Sequence, residues 1–296
     1  MSLLLTTMDV APTDFIDFSN YGQLLPLVRN SLWAGAALGL LGGLVGVFVI
    51  ARDLPFAVHG ISEMSFAGAA AALLLGGSVV AGSFVGSVVA AALIAVLGAR
   101  ARERNSVIGV LMPFGLGLGI LFLALYEGRS ANKFGLLTGQ IVAVNNDSLE
   151  LLAVTSVAVA CVLCVIWRPL MFASVDPDVA AARGVPVTLL HGVFMLLLGC
   201  TIAVAVQVVG AFLVLALLCT PTAAAIRLTT SPVVLPLVSA ALALTAMLGG
   251  ILLALGTAIP ISPYVTTISF LIYLACRALG ALQNRPSRSA RAAATA

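Results

Sequence analysis

Charged residues are scarce in this sequence. They make up 8% of its 296 residues, whereas 61% are hydrophobic. A soluble domain carries about a quarter charged residues, so the chain lacks the polar surface that a water-soluble enzyme needs. The mean hydropathy is +1.19, and the apolar runs are long and unbroken, unlike the alternating pattern of a transmembrane β-barrel. These features predict an all-α protein that crosses a membrane many times.

Lysine and histidine are also nearly absent. Lys133 is the only lysine, and no glycine-rich phosphate loop surrounds it, so we do not expect the chain to hydrolyse ATP. Both histidines lie beside apolar runs, which argues against a Ser-His-Asp catalytic set. We therefore predict that the protein is not an enzyme, has no catalytic residue and holds no permanently bound cofactor.

The apolar runs predict about nine transmembrane helices. Each helix needs about 20 apolar residues to cross a bilayer, so nine of them leave only short loops. The predicted spans are Val28 to Ile50, Phe56 to Ser78, Val79 to Ala99, Ser106 to Tyr126, Leu149 to Trp167, Leu189 to Val206, Val208 to Ile226, Val233 to Leu255 and Ser262 to Ala278.

The basic residues predict the orientation and the domain limits. With the N-terminus outside, eleven arginines become cytoplasmic, against Arg29, Arg129 and Lys133 outside. The chain then has an external N-terminal segment (1–27), a transmembrane domain (28–280) and a basic cytoplasmic tail (281–296). We expect the protein in the cytoplasmic (inner) membrane of the cell, with its tail contacting anionic lipid or a cytoplasmic partner and not nucleic acid.

Glu63 is the one acidic residue inside a predicted span and away from its ends. It follows His59 by four residues, a spacing that places both side chains on the same face of a helix. Ionisable groups in the hydrocarbon region are costly and are functional candidates by default. An imidazole and a carboxylate together suit zinc or manganese. The alternative is structural: His59 lies near the headgroups and Glu63 bonds a neighbouring helix.

A capped cytoplasmic segment, residues 168–187, separates two spans. Asp176 can cap a short helix that has Pro177 in its first turn, and Gly184 can end it. The structural alternative is a simple connector, but an Ala-rich helix held against the membrane face also suits a soluble partner. His191, which follows this segment, is predicted to be an interfacial residue and not a ligand.

Three stretches resemble the metal-ion permease family of ABC importers for zinc and manganese. They are Asp176 and Pro177 with Ala180 and Gly184, the span from Gly210 to Pro221, and the segment from Gly139 to Asn145. The resemblance implies a homodimeric permease with the fold of vitamin B12 and siderophore permeases. It also implies two separate cytoplasmic ATPase subunits, which bind the segment Asp176 to Gly184, and an extracytoplasmic metal-binding protein.

The sequence departs from that family in its proposed metal path. The family has Asp and His four residues apart, whereas this chain has His59 and Glu63, with Val58 in place of a glycine and Gly68 retained. One imidazole and one carboxylate are thus kept with their order exchanged. If two subunits bring this helix face to a shared axis, two His and two Glu would form a four-ligand set for the transported metal.

Three functions fit this sequence. The first is an ABC permease for a divalent metal, zinc or manganese. The second is the same architecture moving a metal chelate such as haem or a siderophore, which needs a wide path and no direct ligands. The third is a secondary transporter that uses Glu63 as a proton carrier. An inverted repeat would favour the third function, and none is evident in the sequence.

Overall fold

The computed structural model describes residues 22, 25–26, 28–98, 101–128, 144–255 and 260–283. Most of the predicted external segment, nearly all of the predicted basic tail and most of the stretch from Gly139 to Asn145 lie outside these residues. Lys133 and Arg129, two of the three basic residues predicted to be external, also lie outside them.

Within the described residues, every regular element is a helix, which confirms the all-α prediction. Eight of the helices are long and apolar enough to cross a membrane. The described helices are α1 (Arg29–Ala51), α2 (Pro55–Leu74), α3 (Val79–Leu97), α4 (Ala101–Leu125), α5 (Asn146–Val175), α6 (Pro177–Ala182), α7 (Val187–Val209), α8 (Ala211–Ala225), α9 (Val234–Leu255) and α10 (Ile261–Gln283).

The predicted span from Val208 to Ile226 is shorter than expected. It becomes α8, a helix of 15 residues, which extends about 22 Å and is shorter than a hydrocarbon core of about 30 Å. Gly210 is responsible, because its backbone has φ +79° and ψ 160° and separates α8 from α7. A side chain at this position would strain the backbone.

The fifth predicted span is longer than expected. We predicted an end at Trp167, yet α5 has 30 residues and continues to Val175 with Pro169 inside it. Proline removes one backbone hydrogen bond and often ends a helix, but here Leu170 and Ala173 are buried after it. Burial of this last part of α5 continues the helix, so the predicted cytoplasmic segment 168–187 begins with eight helical residues, 168–175.

Within the described residues, the arginines other than Arg29 lie at one end of the bundle. Arg52 after α1 hydrogen-bonds Ser174 near the end of α5 and His191 near the start of α7. Gly280 of α10 lies against the backbone of Arg227, which follows α8. We call this the arginine end; its described arginines are Arg52, Arg104, Arg168, Arg183, Arg227 and Arg277.

Glycines allow the helices to approach closely. A Cβ atom at Gly39 of α1 would lie 2.9 Å from Leu244 Cα of α9, and one at Gly43 would collide with Ala240. Gly68 of α2 likewise lies against the backbone of Gly82 in α3. Small residues at these contacts let the helix backbones pack closely, as is common in membranes.

The first four and the last four helices pack as an inverted repeat. The first helix of each set packs along the third helix of the other, so α1 lies along α9 and α7 lies along α3. The second helices, α2 and α8, meet between the two sets, and α5 lies between α1 and α7. The sets run in opposite directions, since α1 approaches the arginine end and α7 leaves it. This repeat is visible in the helix packing, although none is evident in the sequence.

Two buried hydroxyl networks occupy matching places in the repeat. In the first set, Ser65 of α2 bonds Ser83 of α3 at 2.7 Å, and Ser83 Oγ donates to the carbonyl of Ala203 in α7. In the second set, Thr222 of α8 bonds Ser239 of α9 at 2.7 Å. Ser239 Oγ then donates to the carbonyl of Gly43 in α1. Each network joins the second and third helices of one set to the first helix of the other.

Candidate functional site

The turn before α2 fixes the start of the helix that carries His59 and Glu63. Asp53 has φ +54°, the single left-handed residue other than glycine in the described part of the chain. The Leu54 amide donates to the carbonyl of Val49 at 2.8 Å, and Pro55 begins the helix. Proline suits this position because its fixed φ is already helical and its missing N–H would have no helical partner. His59 therefore lies one turn inside α2 from the arginine end.

His59 and Glu63 lie side by side, as their spacing predicts. Nε2 of His59 is 3.6 Å from Oε1 of Glu63, and their side chains are 31% and 3% exposed. The other ring nitrogen, Nδ1, and the other carboxylate oxygen, Oε2, are buried with no hydrogen-bond partner. Each side chain of the pair thus has one polar atom without the hydrogen-bond partner that buried polar atoms normally have.

No third His, Cys, Asp or Glu side chain joins the pair in the part of the chain that the structure describes. No cluster of three or more His, Cys, Asp and Glu side chains is found among the described residues. Glu63 forms no hydrogen bond with a neighbouring helix within the described residues, so the purely structural alternative has no visible partner there. The pair can hold a cation only as part of a larger set.

The segment predicted to couple to an ATPase has the predicted local structure. Oδ1 of Asp176 accepts a hydrogen bond of 3.0 Å from the Val179 amide, and Pro177 begins α6. Ala180 is buried while its neighbours are exposed. Gly184 ends the segment with φ +82°, and the Val185 amide returns to the carbonyl of Ala180 at 3.0 Å. The prediction that Asp176 caps this helix is confirmed. The buried Ala180 is the residue through which α6 packs against the rest of the protein.

A polar cluster that the sequence did not predict lies next to α6. Arg52 donates to Ser174 Oγ at 3.1 Å and to Nδ1 of His191 at 3.1 Å. A guanidinium has no acceptor, so Nδ1 of His191 must accept and its proton must lie on Nε2. Burial, and then the neighbouring charge of Arg104, lowers the pKa of Arg52 from its ordinary value; a guanidinium still stays charged at neutral pH.

Aromatic rings support this cluster on its inner side. Phe48, one turn before Arg52, meets the ring of Trp167 edge-on at 4.7 Å and lies 5.8 Å from the ring of Phe194. The Arg52 guanidinium lies 5.9 Å above the same Phe194 ring, within the range of a cation–π contact. His191, for which we predict an interfacial place, joins the start of α7 to Arg52 after α1.

Comparison with known proteins gives a family and close relatives. The model of the family described as ABC 3 transport family matches residues 25–280. The manganese transport system membrane protein MntC of Halalkalibacterium halodurans is 31% identical over 71% of this chain and 73% of its own length. The manganese import system permease protein ScaB of Streptococcus parasanguinis is 29% identical over 88% of this chain and 92% of its own length.

A solved structure shares the fold. The structure of PsaBC from Streptococcus pneumoniae in complex with Fab matches with a TM-score of 0.78 at 24% identity, over 89% of this chain and 100% of that chain. The match confirms a helical arrangement found in an experimentally determined structure. From residue 25 to residue 280, this chain belongs to the ABC 3 transport family, which confirms the resemblance to metal-ion permeases of ABC importers.

Proposed function

We propose that this chain is the transmembrane permease of an ABC importer for a divalent transition metal, with manganese the first candidate and zinc the second. The pair of His59 and Glu63, in which each side chain has a buried polar atom without a hydrogen-bond partner, carries this proposal. Manganese comes first because two relatives at 31% and 29% identity are named for manganese. The metal is the transported substrate and not a resident cofactor.

The pair binds the metal only in its deprotonated form. An imidazole must be neutral and a carboxylate ionised before either can donate to a cation, so uptake falls when acid protonates them. One chain supplies two ligands, and a homodimer with the α2 helices facing a common path supplies four. Such a mixed nitrogen and oxygen set suits zinc and manganese.

A separate cytoplasmic ATPase drives the transport. Its subunits bind α6 through the segment Asp176 to Gly184, in which Asp176, Pro177, Ala180 and Gly184 keep the short helix in place. Anchoring by Ala180, which is fully buried, lets a push on α6 reach the bundle. An extracytoplasmic metal-binding protein delivers the ion at the opposite end.

Two other functions are less well supported. A metal chelate would need a wide path without direct ligands, whereas Glu63 is 3% exposed and aligned with His59. A proton-coupled secondary transporter is favoured by inverted repeats, but residues 25–280 of this chain match the ABC 3 transport family. The repeat is therefore a property of the fold and does not separate the two transporter classes.

The arginine end faces the cytoplasm in this proposal. It holds all described arginines except Arg29, and basic residues are retained on the cytoplasmic side. The domain limits then follow, with residues 1–27 outside, 28–280 in the permease domain and 281–296 in the cytoplasm. Cysteine placed at positions 102, 133 and 285 of a cysteine-free variant tests this with a membrane-impermeant thiol reagent on intact cells. Labelling of position 285 from outside would show that the orientation is opposite to the proposed one.

Co-purification tests the class and the substrate together. The full chain is expressed with its ATPase and isolated in detergent, and the metal content and subunit ratio are measured. We expect two permease chains, two ATPase chains and bound manganese or zinc that is lost in Glu63→Gln. A chain that takes up manganese in vesicles without any ATPase would contradict the proposal.

A further inference from the structure

The turn between α1 and α2 is held to both ends of the α6 segment by one side chain. Ser174 lies two residues before Asp176, and His191 lies four residues after the start of α7. Arg52 bonds both, at 3.1 Å each, across 122 and 139 residues of sequence. Ser174 Oγ is itself fixed, since it donates to the carbonyl of Leu170 at 2.6 Å.

The same turn is bonded to α1 on one side and to α2 on the other, where the Val58 amide donates to the carbonyl of Leu54 at 3.1 Å. The amides of Arg52, Asp53 and Leu54 return to carbonyls in the last two turns of α1, at 3.0, 3.2 and 2.8 Å. Leu54 is fully buried, and α2 begins at the next residue. A displacement of Arg52 is therefore carried directly to the start of α2, and His59 lies one turn farther on.

We propose that Arg52 is a positioning residue that transmits the movement of α6 to the metal-binding pair of α2. The inference rests on the proposed function, because it takes α6 as the ATPase contact. When the ATPase shifts α6, Ser174 and His191 move with the helix ends that carry them. The two guanidinium bonds carry this shift to the turn, and the turn tilts α2. Arg52 touches neither the metal nor the ATPase.

The coupling ratio, metal moved per ATP hydrolysed, tests this role in proteoliposomes that contain the complete complex. In Arg52→Leu we expect ATP hydrolysis to continue and the ratio for manganese to fall about fivefold or more, the usual size of an energetic coupling between two sites. Arg52→Lys keeps one of the two bonds and should give an intermediate ratio. Arg168→Leu is the matched control, because Arg168 is exposed at the same end; its ratio should stay at the wild-type value.

A double-mutant cycle separates transmission from simple stability. Ser174→Ala should lower the ratio in the wild-type background and have no further effect in Arg52→Leu, because both changes break the same link. If Arg52→Leu does not assemble, Ser174→Ala and His191→Phe carry the test alone, each with a lowered ratio. An unchanged ratio in these variants, or equal effects of Ser174→Ala in both backgrounds, would overturn the inference. A wild-type complex without metal-linked ATP hydrolysis would instead overturn the proposed function.

Discussion

The two sets of four helices share the order of their helix contacts but differ in chemistry. Both contain a buried hydroxyl pair between the second and third helices, Ser65 with Ser83 and Thr222 with Ser239. Glu63 lies two residues before Ser65, and the residue at the equivalent distance before Thr222 is Thr220. α2 has 20 residues and α8 has 15. The repeated part is thus the scaffold, and the ionisable pair belongs to the first set alone.

The largest effect should come from removing the charge that only the first set has. Glu63→Gln keeps the shape of the side chain but not its negative charge, so manganese and zinc uptake should fall to below about a hundredth of wild type, at least the effect of losing an outer-shell partner. Uptake of radioactive metal into vesicles measures this. Thr220→Val is the matched control and should leave uptake near wild type. Wild-type uptake in Glu63→Gln would end the ligand hypothesis.

The connector α5–α6 has no counterpart in either set. Disruption of α6 should have the next largest effect on transport. Asp176→Ala removes the cap of α6, and Gly184→Leu places a side chain at φ +82°. Each costs about 1–2 kcal/mol, which corresponds to an about five- to thirty-fold loss of ordered α6.

Association with the ATPase and metal-linked hydrolysis should therefore fall together, while the membrane bundle stays folded. The retained ATPase is measured after co-purification. Asp178→Asn serves as the control, because Asp178 is exposed and does not cap the helix. Normal ATPase binding and normal coupling in both test variants would show that α6 is not part of the ATPase interface.

A smaller effect is expected from changing the first ligand without removing it. His59→Asp replaces a nitrogen donor by an oxygen donor, which suits manganese better than zinc. Uptake should be reduced by about tenfold or less, and the ratio of manganese to zinc should rise. Competition between the two radioactive metals measures that ratio. A structural role for His59 predicts an unchanged preference.

The smallest effects should show that the two scaffolds are equivalent. Ser83→Ala and Ser239→Ala each remove a buried bridge between three helices, and a hydrogen bond between membrane helices contributes about 0.5–1.5 kcal/mol. Thermal unfolding in detergent should show losses of similar size. Thr245→Val, whose hydroxyl donates within its own helix, is the control. A large loss in one variant and none in the other would break the symmetry.

The sequence predicts local features of this protein well. The membrane class follows from composition, the pairing of His59 with Glu63 from helical periodicity, and the cap of α6 from Asp176 and Pro177. The pairing and the cap each depend on residues fewer than ten positions apart. Local spacing does not decide whether the segment 168–187 is a simple connector or a contact for a soluble partner. The family resemblance favours the second role.

Features that depend on distant contacts were not predictable. In the sequence, Arg52 is only one of the basic residues that predict membrane orientation. Its partners Ser174 and His191 are 122 and 139 residues away, so their contact with Arg52 is not visible there. The repeat is hidden because matching positions share only size or a hydroxyl, as Gly43 and Ala203 do. Pro169 does not mark the end of α5, since burial of Leu170 continues the helix beyond it.

The first helix of each set packs along the third helix of the other set, and this arrangement constrains the order in which the helices can pack during biosynthesis. Ser239 donates to Gly43 across 196 residues, an interval that a ribosome at about 5–20 residues per second needs about 10–40 s to translate. α1 therefore enters the membrane well before α9, with its glycine face against lipid or a transient partner. A nascent chain interrupted before α9 exposes that face to membrane quality control, although α3 has already met α7. Insertion of α9 is thus the step that completes the first half as well as the second.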